Sequence, residues 1–132
     1  MMKKYLIVVL GLMGSACATS YQPSYYYNEI LVVNNSKQLV QDVTISATNN
    51  GRVFSCGNIA PFGICSNSIG KRRYEQNPIQ VSWTFSGSSN QTEAFVIKVP
   101  ATFYTAFPLR GVVAIAPDGS ISTYFEQDTP SI

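Results

Sequence analysis

Hydrophobic and polar residues alternate along several stretches of the chain after residue 28. The alternation is regular over 79–86 and 94–99, and also over 39–47, where Leu39 falls on the same face as Val43 and Ile45. A period of two places successive side chains on opposite faces of an extended backbone. These stretches therefore predict half-buried β-strands, and the apolar set that includes Trp83 predicts a central core position for that residue.

Turn-forming residues separate the alternating stretches. Asn49-Asn50-Gly51 precedes a strand from Val53, residues 87–90 read Gly-Ser-Ser-Asn, and Pro117-Asp118-Gly119-Ser120 joins strands near 110–116 and 120–126. Such residues tolerate the positive φ angles of tight hairpin turns. No segment has the period and caps of an amphipathic helix. We therefore predict an all-β fold, an antiparallel β-sandwich of Ig-like or transthyretin-like type.

The first sixteen residues have the pattern of an export signal. Lys3 and Lys4 form a short basic segment, the apolar run 5–13 follows, and residues 14–16 are small. The apolar run is about half as long as a membrane-spanning helix requires. Residues 1–16 are therefore predicted to be a cleaved signal peptide.

Residues 13–17, Met-Gly-Ser-Ala-Cys, resemble a bacterial lipobox, although Gly14 stands where such boxes usually carry Leu. The resemblance implies that Cys17 becomes the first mature residue and carries lipid. Ala18 in place of Asp implies, by similarity to Gram-negative lipoproteins, delivery to the outer membrane on its periplasmic or surface face. In the alternative, Ala16-Cys17-Ala18 is an ordinary cleavage site, Cys17 is discarded, and the chain is secreted or periplasmic.

Residues 17–27 are predicted to be a lipidated tether, with the β-sandwich domain over 28–132. Pro23 argues against a helix in the tether. Tyr25, Tyr26 and Tyr27 are candidate partner-binding residues, because tyrosine suits an interface with one apolar and one wet side. The alternative is that part of this run pairs as the first edge strand.

Cys56 and Cys65 are predicted to form a disulfide, the expected state in an exported protein. Closing a loop of about ten residues contributes about 2.7 kcal/mol in the chain-entropy account. The enclosed segment 57–64 contains Phe62. Phe62 is a candidate binding anchor if it is exposed; if it packs inward, the disulfide has a structural role only.

The composition argues against catalysis and nucleic-acid binding. The chain has no His, so Ser-His and Cys-His nucleophiles and imidazole metal sites are excluded. Phosphate-binding glycine loops and the spacings of zinc and calcium sites are also missing. Cleavage of the predicted signal peptide removes Lys3 and Lys4 and leaves seven basic and seven acidic residues, so the net charge is about zero. We expect no catalytic residue, no metal and no cofactor, and we interpret the one basic cluster, Lys71-Arg72-Arg73, as a solvated loop.

Two classes of function are compatible with these features. The first is a non-catalytic envelope lipoprotein that acts as a binding or assembly module, with the membrane and a protein as partners. The second is a secreted module that binds or acts on carbohydrate, in which exposed tyrosines such as Tyr104 and Tyr124 stack on sugar rings. An exposed planar row of tyrosines would favour the second class, and scattered or buried tyrosines the first.

Overall fold

The computed structural model describes residues 23–128, which form eight β-strands and no helix. The strands are β1 (Tyr26–Asn34), β2 (Val40–Ala47), β3 (Val53–Ile59), β4 (Ile64–Arg73), β5 (Ile79–Phe85), β6 (Ser88–Gln91), β7 (Leu109–Ile115) and β8 (Ile121–Gln127). Within this described range, no helix is long and apolar enough to cross a membrane.

The strands form two four-stranded sheets. Sheet A has the order β4-β1-β7-β8, and sheet B has the order β3-β2-β5-β6. Strands β1 and β7 run parallel, and the other paired strands run antiparallel. The apolar faces of the two sheets pack together, which gives a β-sandwich-like fold and confirms the all-β prediction.

The core lies between the sheets and consists mainly of β-branched residues. Val32, Val113 and Ile115 of sheet A meet Val43, Ile45 and Val81 of sheet B, and all six are almost fully buried. Trp83 is 8% exposed, and its indole N–H donates to the carbonyl oxygen of Gly119 at 3.0 Å. The predicted core position of Trp83 is therefore confirmed, and the bond satisfies its polar atom.

Two predicted hairpin turns are present, and each uses a glycine at positive φ. Gly51 has φ 72° in the β2–β3 turn. Gly119 has φ 90° in the β7–β8 turn, where an added Cβ would lie 2.3 Å from the ring of Phe85. Only glycine fits at position 119, for both conformational and steric reasons.

The predicted face of Leu39 is wrong. Leu39 is 46% exposed, whereas its neighbour Val40 is fully buried. The register of β2 against β5 shifts between Gln41 and Thr44, and Asp42 has φ 53°. This one-residue bulge moves the side chains before it to the opposite face.

The strand expected over 94–99 does not form. Ser86 and Gly87 both have positive φ and make a two-residue turn, so that β6 already begins at Ser88. The chain then leaves the sheet after Gln91. Phe95 forms only an isolated antiparallel bridge with Ile79, the first residue of β5.

The boundary between tether and domain also needs correction. Strand β1 begins at Tyr26, two residues before the predicted start at 28, and it is an inner strand instead of an edge strand. Tyr26 and Tyr27 pair with Arg73 and Arg72 of β4. The basic cluster 71–73, expected in a loop, is therefore the end of a strand. Residues 1–22, with the predicted signal peptide, Cys17 and most of the tether, lie outside the described residues.

Candidate functional site

The outer face of sheet A carries two adjacent, mainly apolar rows, whose apolar members we call the apolar strip. Aligned residues of neighbouring strands share a face. In one row Val33 lies between Ile64 and Ala114, with Ser122 at the far end; in the next Val112 lies between Leu31 and Tyr124, with Ser66 beside Leu31. The strip therefore consists of Leu31, Val33, Ile64, Val112, Ala114 and Tyr124, on the face opposite to the core.

Part of the apolar strip is open to solvent. Ile64 is 63% exposed and Tyr124 is 42% exposed, while Leu31 and Val33 are half-buried. Val112 and Ala114 are buried, with 2% and 9% of their surface exposed. A contiguous apolar area on a sheet surface is unusual for a solvated face and is typical of a binding surface.

A row of charged residues borders the apolar strip on the same face. Arg110 lies between Glu29 and Glu126 in the register and contacts the carboxylate of Glu126 at 3.0 Å and that of Glu29 at 3.6 Å. Its guanidinium also makes two hydrogen bonds of 2.9 Å to Asp128. Three carboxylates therefore surround one cation, which leaves a negative border beside the apolar strip.

The bidentate bond between Arg110 and Asp128 perturbs both groups. The hydrogen bonds from Arg110 lower the pKa of Asp128, and those to Asp128 raise the pKa of Arg110. Arg110 and Asp128 therefore form a charge-assisted pair at neutral pH. Spacing along the chain gave no indication of this cluster, since Glu29 and Arg110 meet only through the parallel pairing of β1 with β7.

Phe62 lies at the end of the molecule where the apolar strip terminates in Ile64. Phe62 is 64% exposed and has φ 58°. Its amide donates to the carbonyl of Ser36 at 3.3 Å, and the carbonyl of Gly63 accepts a bond of 2.9 Å from the amide of Asn34. The ring is therefore outside the core, on a loop whose backbone is tied to the β1–β2 turn.

The predicted disulfide is present and lies directly beside this loop. Cys56 and Cys65 are bonded, and their Cα atoms are 6.0 Å apart. Cys56 belongs to β3 of sheet B and Cys65 to β4 of sheet A. The bond thus links the two sheets at the point where the chain passes from one to the other.

The side chain of Asn34 forms hydrogen bonds to the backbone of the same loop. It is fully buried, and its side-chain amide donates to the carbonyls of Gln38, Ile59 and Ala60 at 2.8, 3.2 and 3.0 Å. Its oxygen accepts bonds from the amide and hydroxyl of Ser36. This network joins two loops that are distant in sequence.

The candidate tyrosines do not form one exposed row. Tyr25 is half-buried and bonds through its hydroxyl to the carbonyl of Phe103 at 3.4 Å. Tyr26 is 37% exposed, with the ammonium of Lys71 4.8 Å from its ring centre. Tyr27 is half-buried, as alternation along β1 requires. The three side chains therefore differ in burial and in the residues that they contact.

The remaining aromatic residues are also distributed over separate places. Tyr104 is 61% exposed and packs edge-on against Phe107, in the loop before β7. Tyr124 belongs to the apolar strip on β8. Tyr74 packs edge-on against Phe125, with ring centres 4.9 Å apart, and is half-buried. In residues 23–128 no group of three or more His, Cys, Asp or Glu side chains could hold a metal ion.

Comparison with known proteins gives one structural similarity. No family model and no curated protein matches the chain. An NMR structure of a protein from Eubacterium rectale is similar with a TM-score of 0.45 and 12% identity, over 84% of this chain and 94% of that one.

Proposed function

We propose that the protein is a non-catalytic module of the bacterial envelope that binds a protein partner through the outer face of sheet A. The observation that carries the proposal is the apolar strip, in which Ile64 is 63% exposed and Tyr124 is 42% exposed beside half-buried Leu31 and Val33. The core of a protein interface is apolar and is bordered by polar groups. The strip and its charged border have this arrangement.

The charged border indicates the chemistry of the partner. Glu29, Glu126 and Asp128 surround Arg110, so the border has an excess of two negative charges. A partner with an apolar patch and at least one Lys or Arg at its edge complements this surface. Complementary charge of this kind contributes mainly to association rate and orientation, whereas the apolar contacts supply most of the affinity.

The distribution of tyrosines supports this proposal over a carbohydrate-binding module. Stacking on a sugar chain needs aromatic rings that are exposed on one surface. Here Tyr104 and Tyr124 occupy different elements, and Tyr25 and Tyr27 are half-buried. Scattered rings of this kind favour a binding or assembly module.

We further propose that the sandwich is of the transthyretin-like type. In an Ig-like sandwich the first and second strands pair within one sheet. Here β1 and β2 belong to different sheets, and β1 lies between β4 and β7. This order supports the transthyretin-like alternative, in which the first strand is an inner strand.

The proposed anchor is lipid on Cys17, motivated by the lipobox-like sequence of residues 13–17. With this anchor, nine residues, 17–25, precede β1. Even fully extended, such a segment reaches about 30 Å. The domain would therefore act close to the outer membrane, and its partner would lie in the envelope.

Mass spectrometry of the native protein tests the anchor. We expect an acylated N-terminal Cys17 and partition of the protein with membranes, and Cys17→Ser should abolish both. A soluble mature chain that begins at Thr19 would contradict the anchor while leaving the binding surface to be tested on its own.

Matched substitutions test the binding surface. Ile64→Asp and Tyr124→Asp place a charge on the apolar strip; Val53→Asp and Tyr104→Asp are controls at residues with 58% and 61% exposure elsewhere. The tagged protein is recovered from solubilised membranes under mild crosslinking. We expect the two strip variants to lose one and the same protein, with affinity reduced about tenfold or more, and both controls to retain it. The proposal would be refuted if all four variants recovered the partner protein equally, or if none of the four recovered it.

A further inference from the structure

An apolar cavity of about 80 Å³ lies between the two sheets, at the end of the sandwich where β1 begins. Sheet A contributes Ile30 and Phe125 to its wall, and sheet B contributes Ile45, Phe54 and Ile79. We call this space the inter-sheet cavity. It is distinct from the apolar strip, which covers the opposite face of sheet A.

Two features of the chain leave room for the cavity. Gly111 lines it, and a Cβ added there would make ordinary contacts, 3.6 Å to Phe125 and 3.9 Å to Ile30. The position therefore has space for a methyl group that the sequence leaves out. Tyr74, also in the wall, is held by its hydroxyl on the carbonyl of Ile97 and by its ring on Phe125.

The mouth of the cavity is polar and carries a positive excess. Arg52 of the β2–β3 turn and Arg73 at the end of β4 line it, together with Glu75 and the amide side chains of Asn50 and Asn77. All the ion pairs of residues 23–128 are made by Arg110. The guanidinium groups of Arg52 and Arg73 are thus without a carboxylate partner in that range.

We propose that the inter-sheet cavity binds a small amphiphilic anion, a short aliphatic chain that ends in a carboxylate. The chain lies between the sheets, and the carboxylate meets Arg52 and Arg73. An apolar cavity of roughly 150 Å³ accommodates a benzene ring. A space of about 80 Å³ is about half of that, so it suits an aliphatic chain of about three carbons, and burial of each methylene contributes to binding.

A titration followed by NMR of the backbone amides tests the proposal on the purified protein. The probes are acetate, propanoate, butanoate and butylammonium, at neutral pH and equal ionic strength. We expect butanoate to give saturable shifts at the amides of Gly111 and Val113, and propanoate to bind more weakly. Acetate should give none, since it has no chain to enter the cavity. Butylammonium should bind more weakly than butanoate, because Arg52 and Arg73 repel it.

Two pairs of variants test the cavity and its mouth separately. Gly111→Ala takes the space of about one methylene, so butanoate should bind about fourfold more weakly and propanoate should become the preferred probe. Gly70→Ala, on the edge strand β4 with nothing near its Cβ, is the control. Arg52→Gln should weaken the binding of butanoate about two- to fivefold, as for an exposed ion pair, whereas Lys37→Gln, at the other end of the molecule, should have no effect.

Several results would overturn the proposal. One is the absence of saturable shifts with butanoate; another is acetate that binds as tightly as butanoate, since the arginines alone would then account for binding. A third is unchanged affinity in Gly111→Ala, or in Ala47→Val, which narrows the cavity from the opposite sheet. These results leave the binding surface on sheet A unaffected.

Discussion

Removal of the Asn34 side chain should destabilise the protein more than any other single polar-to-Ala change at the β1–β2 turn. In Asn34→Ala the carbonyl of Ile59 and the amide of Ser36, both buried, lose their side-chain partner. An unpaired buried polar group costs about 1–3 kcal/mol, so the two together cost about 4 kcal/mol. The carbonyls of Gln38 and Ala60 belong to exposed residues, and water can replace the lost bond there.

Urea unfolding monitored by the fluorescence of Trp83, the single tryptophan, measures this loss. At an m-value of about 1.5 kcal/mol per M, a loss of about 4 kcal/mol lowers the midpoint by about 2.7 M. Asn50→Ala is a matched control, because Asn50 is exposed and its oxygen accepts one bond, from the amide of Arg52 at 3.0 Å. It should cost about 1 kcal/mol or less. Equal midpoints for the two variants would refute the assignment of the loop's stability to Asn34.

Three further predictions concern the core, the cavity wall and the disulfide. Trp83→Ala should cost about 3–5 kcal/mol in chemical unfolding followed by circular dichroism; ready quenching of Trp83 by acrylamide in the folded protein would contradict its burial. Burial raises the pKa of Tyr74 to about 12, so its contribution to stability is complete below pH of about 10, its ordinary pKa, and is lost as the pH rises toward 12. An absorbance titration should show one late-ionising tyrosine that Tyr74→Phe removes, and ionisation of all tyrosines near pH 10 would argue against it. Reduction of Cys56–Cys65 should lower the melting temperature by roughly 10–20 °C with the fold intact, whereas freely alkylatable thiols in the oxidised protein would disprove the bond.

Local sequence patterns predicted most of the strands and two of the turns, but the alternating stretch 94–99 forms no strand. Alternation placed Trp83 in the core, and Gly51 and Gly119 marked two hairpins. The bulge at Asp42 was missed, because it needs a positive φ at a residue other than glycine, and a single extra residue then reversed the face of Leu39. Bulges leave little trace in a hydrophobic pattern, although they decide which side chains reach the core.

Features that depend on pairing between distant strands could not be predicted. Arg110 meets Glu29 because β1 and β7 run parallel in one sheet, and it meets Glu126 across the β7–β8 hairpin. The sequence contained all the residues of the apolar strip, but not the order of the strands that brings them together. The disulfide was predicted from compartment and spacing, yet its link between two sheets follows only from the topology.

The loop that carries Phe62 is fastened from several sides, and this bears on how it would bind. The disulfide links the flanking strands β3 and β4. The backbone amide of Asn34 donates to the carbonyl of Gly63, and the backbone amide of Phe62 donates to the carbonyl of Ser36. Each ordered side chain or loop segment that must be immobilised on binding costs free energy. A ring that is already held outside the core avoids part of that cost. Phe62 and the neighbouring Ile64 thus form a prearranged apolar corner at the end of the strip, and a partner that contacts Ile64 would bury both residues with little further ordering.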